Sequence, residues 1–156
     1  GDYAPLGGRG AERVVHAPVG DFTLVDDSYN ANPISIGAAL ATLGARKVAG
    51  RRIVALTDML ELGPEAPQAH AGLAAPIEAA RIDQVFCAGP LMKSLWDALP
   101  PTRRGGYAES AALLEPQLVG AIAPGDVVMV KGSKGSKAHA LAAALAALDS
   151  TSGDAA

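Results

Sequence analysis

Short apolar runs alternate along this chain with longer segments of helical periodicity, and this alternation restricts the folds open to it. The runs read FTLVD at 22–26, RRIVALTD at 51–58, DQVFCAG at 83–89 and DVVMVKG at 126–132. Their inner residues are apolar at successive positions rather than at every second one, which is typical of strands buried on both faces. The pattern therefore predicts an α/β fold in three layers, a mostly parallel sheet with helices on both sides.

An additional strand is predicted at one edge of this sheet. RVVHA at 13–17 and FTLVD at 22–26 flank PVGD, which is typical of a β-hairpin and predicts an antiparallel edge. Asn32 is a suitable N-cap for the first helix, and Pro33 suits its first position. The helices are predicted over residues 33–48, 67–80, 90–99, 110–122 and 136–148, with a short strand at 104–108.

Composition narrows the classes of protein to which the chain can belong. It has 156 residues, the size of one domain, and 49% of them are hydrophobic, so a packed core is expected. The net charge of -3 does not favour nucleic-acid binding, which requires a basic face. No apolar stretch approaches the roughly 18 residues of a membrane span, and we expect a cytoplasmic location because no export signal is visible. The predicted organisation is an arm or linker at 1–12, a domain at 13–149 and a tail at 150–156.

Polar residues gather where the predicted strands end. Asp26 to Asn32 follow the first run, Asp58 follows the second, and Lys131 to Ser133 follow the last. The carboxyl ends of parallel strands lie at one edge of a sheet, where ligands of open α/β folds bind. This edge is therefore the predicted functional edge.

Each of these residues has a functional and a structural interpretation. Asp27 can accept two hydroxyl groups, for example from a ribose, and Asn32 offers both a donor and an acceptor. Alternatively, Asp27 and Asn32 only cap the turn and the following helix. Tyr29 can stack on a flat ring or pack against the protein. Lys131 can reach a phosphate or carboxylate, or belong to an exposed glycine-rich turn.

Other familiar motifs are missing from the sequence. No window matches the Walker phosphate-binding loop, and no GxGxxG follows a strand. The three histidines lack the spacing of metal ligands. His70 is expected to cap a helix or lie at the surface, and Cys87 is expected in the core rather than as a nucleophile.

Four short segments of the chain form a recognisable set: GRG at 8–10, DDSYNANP at 26–33, DMLELG at 58–63 with His70 after it, and VKGS at 130–133. Together they resemble the C-terminal domain of the Mur ligases, and DSYNANP is typical of the MurF type. The resemblance implies a Rossmann-like three-layer sandwich that is the third domain of an ATP-dependent amide-bond ligase. Related ligases carry histidine within the 28–33 stretch.

What the resemblance implies for function is specific. Such ligases join D-alanyl-D-alanine to UDP-N-acetylmuramoyl-tripeptide. Their N-terminal domain holds the UDP end of the muramoyl peptide, and their central domain carries the P-loop and is the main holder of ATP and Mg²⁺. By resemblance, Arg9, Asp27, Tyr29, Asn30 and Asn32 contact ATP. The chain by itself should then be inactive.

The same resemblance places Lys131 and Ser133 where the third domain approaches the amino substrate. The alternatives are a free-standing, non-catalytic α/β module that binds a small anion or a partner protein, and a related ligase with another amino substrate.

Overall fold

A mixed six-stranded sheet forms the centre of the molecule in a computed structural model that describes residues 11–29 and 31–150. Arg9 and Asn30, which the resemblance predicts to contact ATP, lie outside the described residues. The strands are β1 (Ala11–Ala17), β2 (Gly20–Asp27), β3 (Arg52–Thr57), β4 (Gln84–Ala88), β5 (Arg104–Ala108) and β6 (Val127–Lys131). The helices are α1 (Pro33–Ala45), α2 (Ala66–Ala71), α3 (Ala74–Ala79), α4 (Lys93–Ala98), α5 (Ala111–Ala121) and α6 (Ala138–Ala146).

The strand order confirms both the parallel sheet and the edge hairpin that the sequence predicts. The order is β1-β2-β6-β3-β4-β5; β1 and β2 pair antiparallel, and the other neighbours pair parallel. Strand β6, the last in sequence, lies between β2 and β3. Its last residue, Lys131, is therefore in register with Asp27 of β2 and Leu56 of β3.

The core consists of two apolar clusters, one on each face of the sheet. Successive residues of β3 show why the strand is apolar throughout: Ile53 faces α5 and α6, whereas Val54 faces the layer of α1 to α4. Because side chains of a strand alternate between faces, both sets must be apolar when helices cover both sides. The three-layer α/β prediction is confirmed.

One predicted helix is in fact two. The segment 67–80 divides into α2 and α3, with a turn at Gly72 and Leu73. Pro76 has no backbone N–H, so it cannot donate to the carbonyl of Gly72 as a continuous helix would require. The last helix also begins later than predicted, because Lys137 has a left-handed backbone with φ of 67°.

None of the helices within the described ranges combines the length and apolar character that crossing a lipid bilayer would demand.

Cys87 lies in the core, as the sequence predicts, and we expect its thiol to be unreactive in the folded chain. It is fully buried in β4, and burial raises the pKa of the thiol to about 12. Because the thiolate is the reactive form, labelling by a thiol reagent at pH 8 should be complete only in denaturant. A colorimetric thiol assay measures this, and stoichiometric labelling of the native chain within minutes would contradict the expectation.

Candidate functional site

A buried ion pair joins the ends of β2 and β6. The ammonium of Lys131 donates to Oδ2 of Asp27 at 2.8 Å. The side chain of Lys131 is only 3% exposed, whereas that of Asp27 is 21% exposed. The sequence suggested a ligand role for each residue separately, and the structure brings them together with the carboxylate on the accessible side.

Asp27 and Asn32 have different structural roles in the segment after β2. Asn32 is the N-cap of α1: its Oδ1 accepts from the N–H of Ser35 at 2.8 Å, and its own N–H donates to Oγ of Ser35 at 3.1 Å. The turn is capped by Asp26, whose Oδ1 accepts from the N–H and the hydroxyl of Ser28. Asp27 is therefore paired with a lysine, while Asn32 is a helix cap.

Tyr29 projects from the same edge. Its side chain is among the exposed large hydrophobic groups, at 43% exposure. The ammonium of Lys134 lies 5.6 Å from the centroid of the Tyr29 ring, a cation–π distance. The ring is thus oriented by a residue of the loop that follows β6.

A groove runs beside Asp27 between α1 and the hairpin. Its volume is about 260 Å³, and its lining includes Asp27, Val25, Thr42 and Arg46. Both guanidinium NH groups of Arg46 donate to the carboxylate of Glu12, at 2.9 and 3.0 Å, across this groove. The carboxylate of Asp27 therefore has open space next to it.

The loops after β3 and β6 are bonded to one another. Oγ of Ser133 accepts from the N–H of Leu60 at 2.9 Å. The hydroxyl of Ser136 lies 2.8 Å from the carbonyl oxygen of Asp58 and 2.6 Å from Oγ1 of Thr57. Ser133 was predicted to bind substrate, and in the structure its hydroxyl holds the loop after β3.

A second and larger cleft opens at the carboxyl ends of β3 to β6. It measures about 400 Å³, and its charged lining residues are Asp58, Glu109 and Lys137. The carboxylate of Asp58 accepts from the N–H groups of Met92 at 2.9 Å and Leu91 at 3.2 Å. Asp58 is 5% exposed, and this burial raises the pKa of its carboxyl group.

Sequence reasoning missed most of this cleft. Glu109 follows a short strand that contains two glycines, and Lys137 precedes a helix, so neither stands in a recognisable motif. His70 was expected to cap a helix or lie at the surface; the surface alternative is wrong, because the residue is fully buried. A histidine twelve positions after a strand-end carboxylate carries no signal of burial by itself.

Gly89 packs directly against the carboxylate of Asp58 in the cleft. We expect Gly89→Ala to destabilise the chain by about 2 kcal/mol. Its φ of +115° is unfavourable for other residues, and a Cβ there would lie 2.3 Å from Oδ1 of Asp58. Gly37→Ala is the matched control, since a Cβ at that helical position meets nothing within 4 Å. It should stabilise the chain by about 0.5–1 kcal/mol. Urea unfolding of both variants measures the difference, and equal midpoints would contradict it.

The chain matches a known family model and several curated proteins. The family model described as the Mur ligase, glutamate ligase domain matches residues 12–135. The UDP-N-acetylmuramoyl-tripeptide–D-alanyl-D-alanine ligase of Bacillus subtilis is 31% identical over 119 residues, covering 74% of this chain and 26% of that protein. The ligase of the same name from Mycobacterium tuberculosis is 34% identical over 152 residues, covering 81% of this chain and 29% of that protein. The chain thus spans less than a third of the curated relatives it matches.

Solved structures agree with these matches. MurF from Acinetobacter baumannii superposes with a TM-score of 0.75 at 26% identity, over 91% of this chain and 31% of that one. MurF from Thermotoga maritima, solved in complex with ADP, gives a TM-score of 0.73 over 96% of this chain and 33% of that one. At 18% sequence identity, this second match shows similarity of fold alone.

Proposed function

The chain belongs to the Mur ligase family by its glutamate ligase domain, and from this premise we propose that it is the C-terminal domain of a MurF-type ligase. The intact enzyme would join D-alanyl-D-alanine to UDP-N-acetylmuramoyl-tripeptide at the expense of ATP, in the cytoplasm, as a step of peptidoglycan precursor synthesis. Its N-terminal and central domains would be the partners of this one.

The observation that carries the nucleotide part of the proposal is the partly exposed carboxylate of Asp27. It lies at the carboxyl edge of the sheet, within the DSYNANP segment, next to a buried ammonium and an open groove. A carboxylate in this position can accept two ribose hydroxyls. Tyr29 would form the wall of the same site, and Arg9 and Asn30 are assigned to it by resemblance alone.

The structure modifies two of the proposed roles. Oδ1 of Asn32 accepts from the N–H of Ser35, so Asn32 would contact ATP through its Nδ2 amino group. The ammonium of Lys131 is bonded to Asp27, so we assign Lys131 to the nucleotide site as the residue that orients this carboxylate.

The cleft beside Ser133 is the proposed position of the amino substrate. D-Alanyl-D-alanine carries an ammonium and a carboxylate. Asp58 and Glu109 on one hand and Lys137 on the other offer both signs of charge around a space of about 400 Å³. A pocket of this size and polarity is suited to a dipeptide.

The chemistry divides between the domains in this proposal. ATP would first convert the tripeptide carboxylate to an acyl phosphate; the dipeptide amine attacks it, and the tetrahedral intermediate then loses phosphate. Phosphoryl transfer requires charge neutralisation by a P-loop and Mg²⁺, which we assign to the central domain. Closure of this domain over the nucleotide would exclude water and bring the amine into place.

The test is an assay of the intact ligase against the chain alone. The intact enzyme should release phosphate from ATP only when both UDP-N-acetylmuramoyl-tripeptide and D-alanyl-D-alanine are present, and Arg9→Ala should remove most of this turnover. The chain alone should show none. Turnover with another amino compound instead would identify a related ligase, and an intact protein without ATP-dependent ligation would remove the proposal.

A further inference from the structure

His70 is fully buried in α2, and both of its ring nitrogens form hydrogen bonds. Nε2 lies 2.9 Å from the backbone nitrogen of Met59, and Nδ1 lies 2.7 Å from the carbonyl oxygen of Ala66. An N–H can only donate and a carbonyl can only accept, so Nε2 accepts from Met59 and Nδ1 donates to Ala66. With both nitrogens engaged, the ring has neither a lone pair nor a proton to offer to a substrate.

The bond to Met59 fixes a particular peptide group. The N–H of Met59 belongs to the peptide that joins it to Asp58, and the carbonyl of this peptide is held as well. It accepts from the hydroxyl of Ser136 at 2.8 Å and from the N–H of Ser133 at 3.3 Å. Because a peptide group is planar, hydrogen bonds at both of its ends determine its orientation.

That orientation sets the position of the Asp58 carboxylate in the cleft. The carboxylate accepts from Leu91 and Met92 on one side and is packed against Gly89 on the other, where even a Cβ would lie 2.3 Å from Oδ1. A rotation of the Asp58–Met59 peptide would therefore push the carboxylate into Gly89 or pull it off its two N–H donors. His70 is the only residue of α2 for which the structure records a side-chain bond to this loop, within the described ranges.

We propose that His70 is a positioning residue for the amino-substrate cleft: it holds the Asp58 carboxylate in place through the Met59 amide without touching a ligand. This inference rests on the proposed function, since it assigns the cleft to the incoming dipeptide. It also gives a structural role to the histidine that follows the DMLELG segment.

A matched pair of amide variants tests the proposal in the intact ligase. In His70→Gln the side-chain amide lies near the Nε2 position, so its oxygen can still accept from Met59. In His70→Asn the side-chain amide lies near the Nδ1 position and can form a hydrogen bond only with the carbonyl of Ala66. We expect His70→Asn to raise the KM for D-alanyl-D-alanine about tenfold, with the KM for ATP changed less than about twofold, and His70→Gln to recover most of the loss.

Two controls make the result decisive. Ile77→Val removes one methyl group from the buried face of the neighbouring α3 and leaves the His70–Met59 bond in place, so it should lower the melting temperature and leave both KM values unchanged. In the chain itself, hydrogen exchange by NMR should show the Met59 amide exchanging at least about tenfold faster in His70→Asn than in His70→Gln.

The outcomes separate this inference from the proposed function. A wild-type ligase that does not use D-alanyl-D-alanine contradicts the proposed function, and with it the substrate named here. If the wild type does use it, equal KM values for the dipeptide in His70→Asn and His70→Gln overturn the inference alone. Equal Met59 exchange rates in the two variants overturn it as well.

Discussion

Asp27→Asn in the intact ligase is expected to raise the KM for ATP about 10- to 100-fold. The amide keeps an acceptor for the ammonium of Lys131, so the local structure should be retained. The negative charge is lost, and hydrogen bonds from ribose hydroxyls to a carboxylate contribute about 1.5–3 kcal/mol, roughly one to two powers of ten in affinity. Steady-state kinetics with each substrate varied in turn measures the effect.

In Asp27→Asn the change in KM should be confined to ATP. The KM for D-alanyl-D-alanine should change less than about twofold, because Asp27 does not line the cleft of Asp58 and Glu109. Asp97→Asn is a matched control: this carboxylate forms an exposed pair with Lys93 on α4, and both kinetic constants should be unchanged. An unchanged KM for ATP in Asp27→Asn would remove Asp27 from the nucleotide site.

The fold was predictable from the sequence because burial leaves a pattern in neighbouring residues. Helices cover both faces of the sheet, so RRIVALTD had to be apolar at successive positions, and Ile53 and Val54 indeed face opposite layers. The N-cap at Asn32 was predictable because a capping side chain forms its hydrogen bonds within three residues of itself. The break between α2 and α3 was also encoded locally, in Pro76, and was overlooked.

The site was less predictable because its residues meet only through the topology. Asp27 and Lys131 are 104 positions apart and become neighbours only because β6 inserts beside β2. The same insertion places Ser133 and Ser136 against the loop after β3. A motif indicates that such residues belong to one site, whereas their partners depend on a strand order that residue patterns do not specify.

Asp27→Ala is expected to destabilise the isolated chain by about 3 kcal/mol, which is more than its partner's removal should cost. The ammonium of Lys131 is 3% exposed, so losing the carboxylate leaves a charge that water cannot readily reach. In Lys131→Met, the carboxylate that remains is 21% exposed and can be hydrated. That variant should therefore lose only about 1 kcal/mol. Urea unfolding of each chain gives the free energies.

The double variant Asp27→Ala/Lys131→Met decides whether the pair itself causes the loss. Replacing both charged groups also removes the buried ammonium that has lost its carboxylate, so the double variant should be more stable than Asp27→Ala by about 2 kcal/mol. Additive losses would instead show that the two side chains act independently. Since domains of this size are stable by about 5–15 kcal/mol, Asp27→Ala should still be folded at 25 °C. Its ATP defect in the intact ligase would then include both the missing contact and a weakened sheet edge, whereas Asp27→Asn isolates the contact.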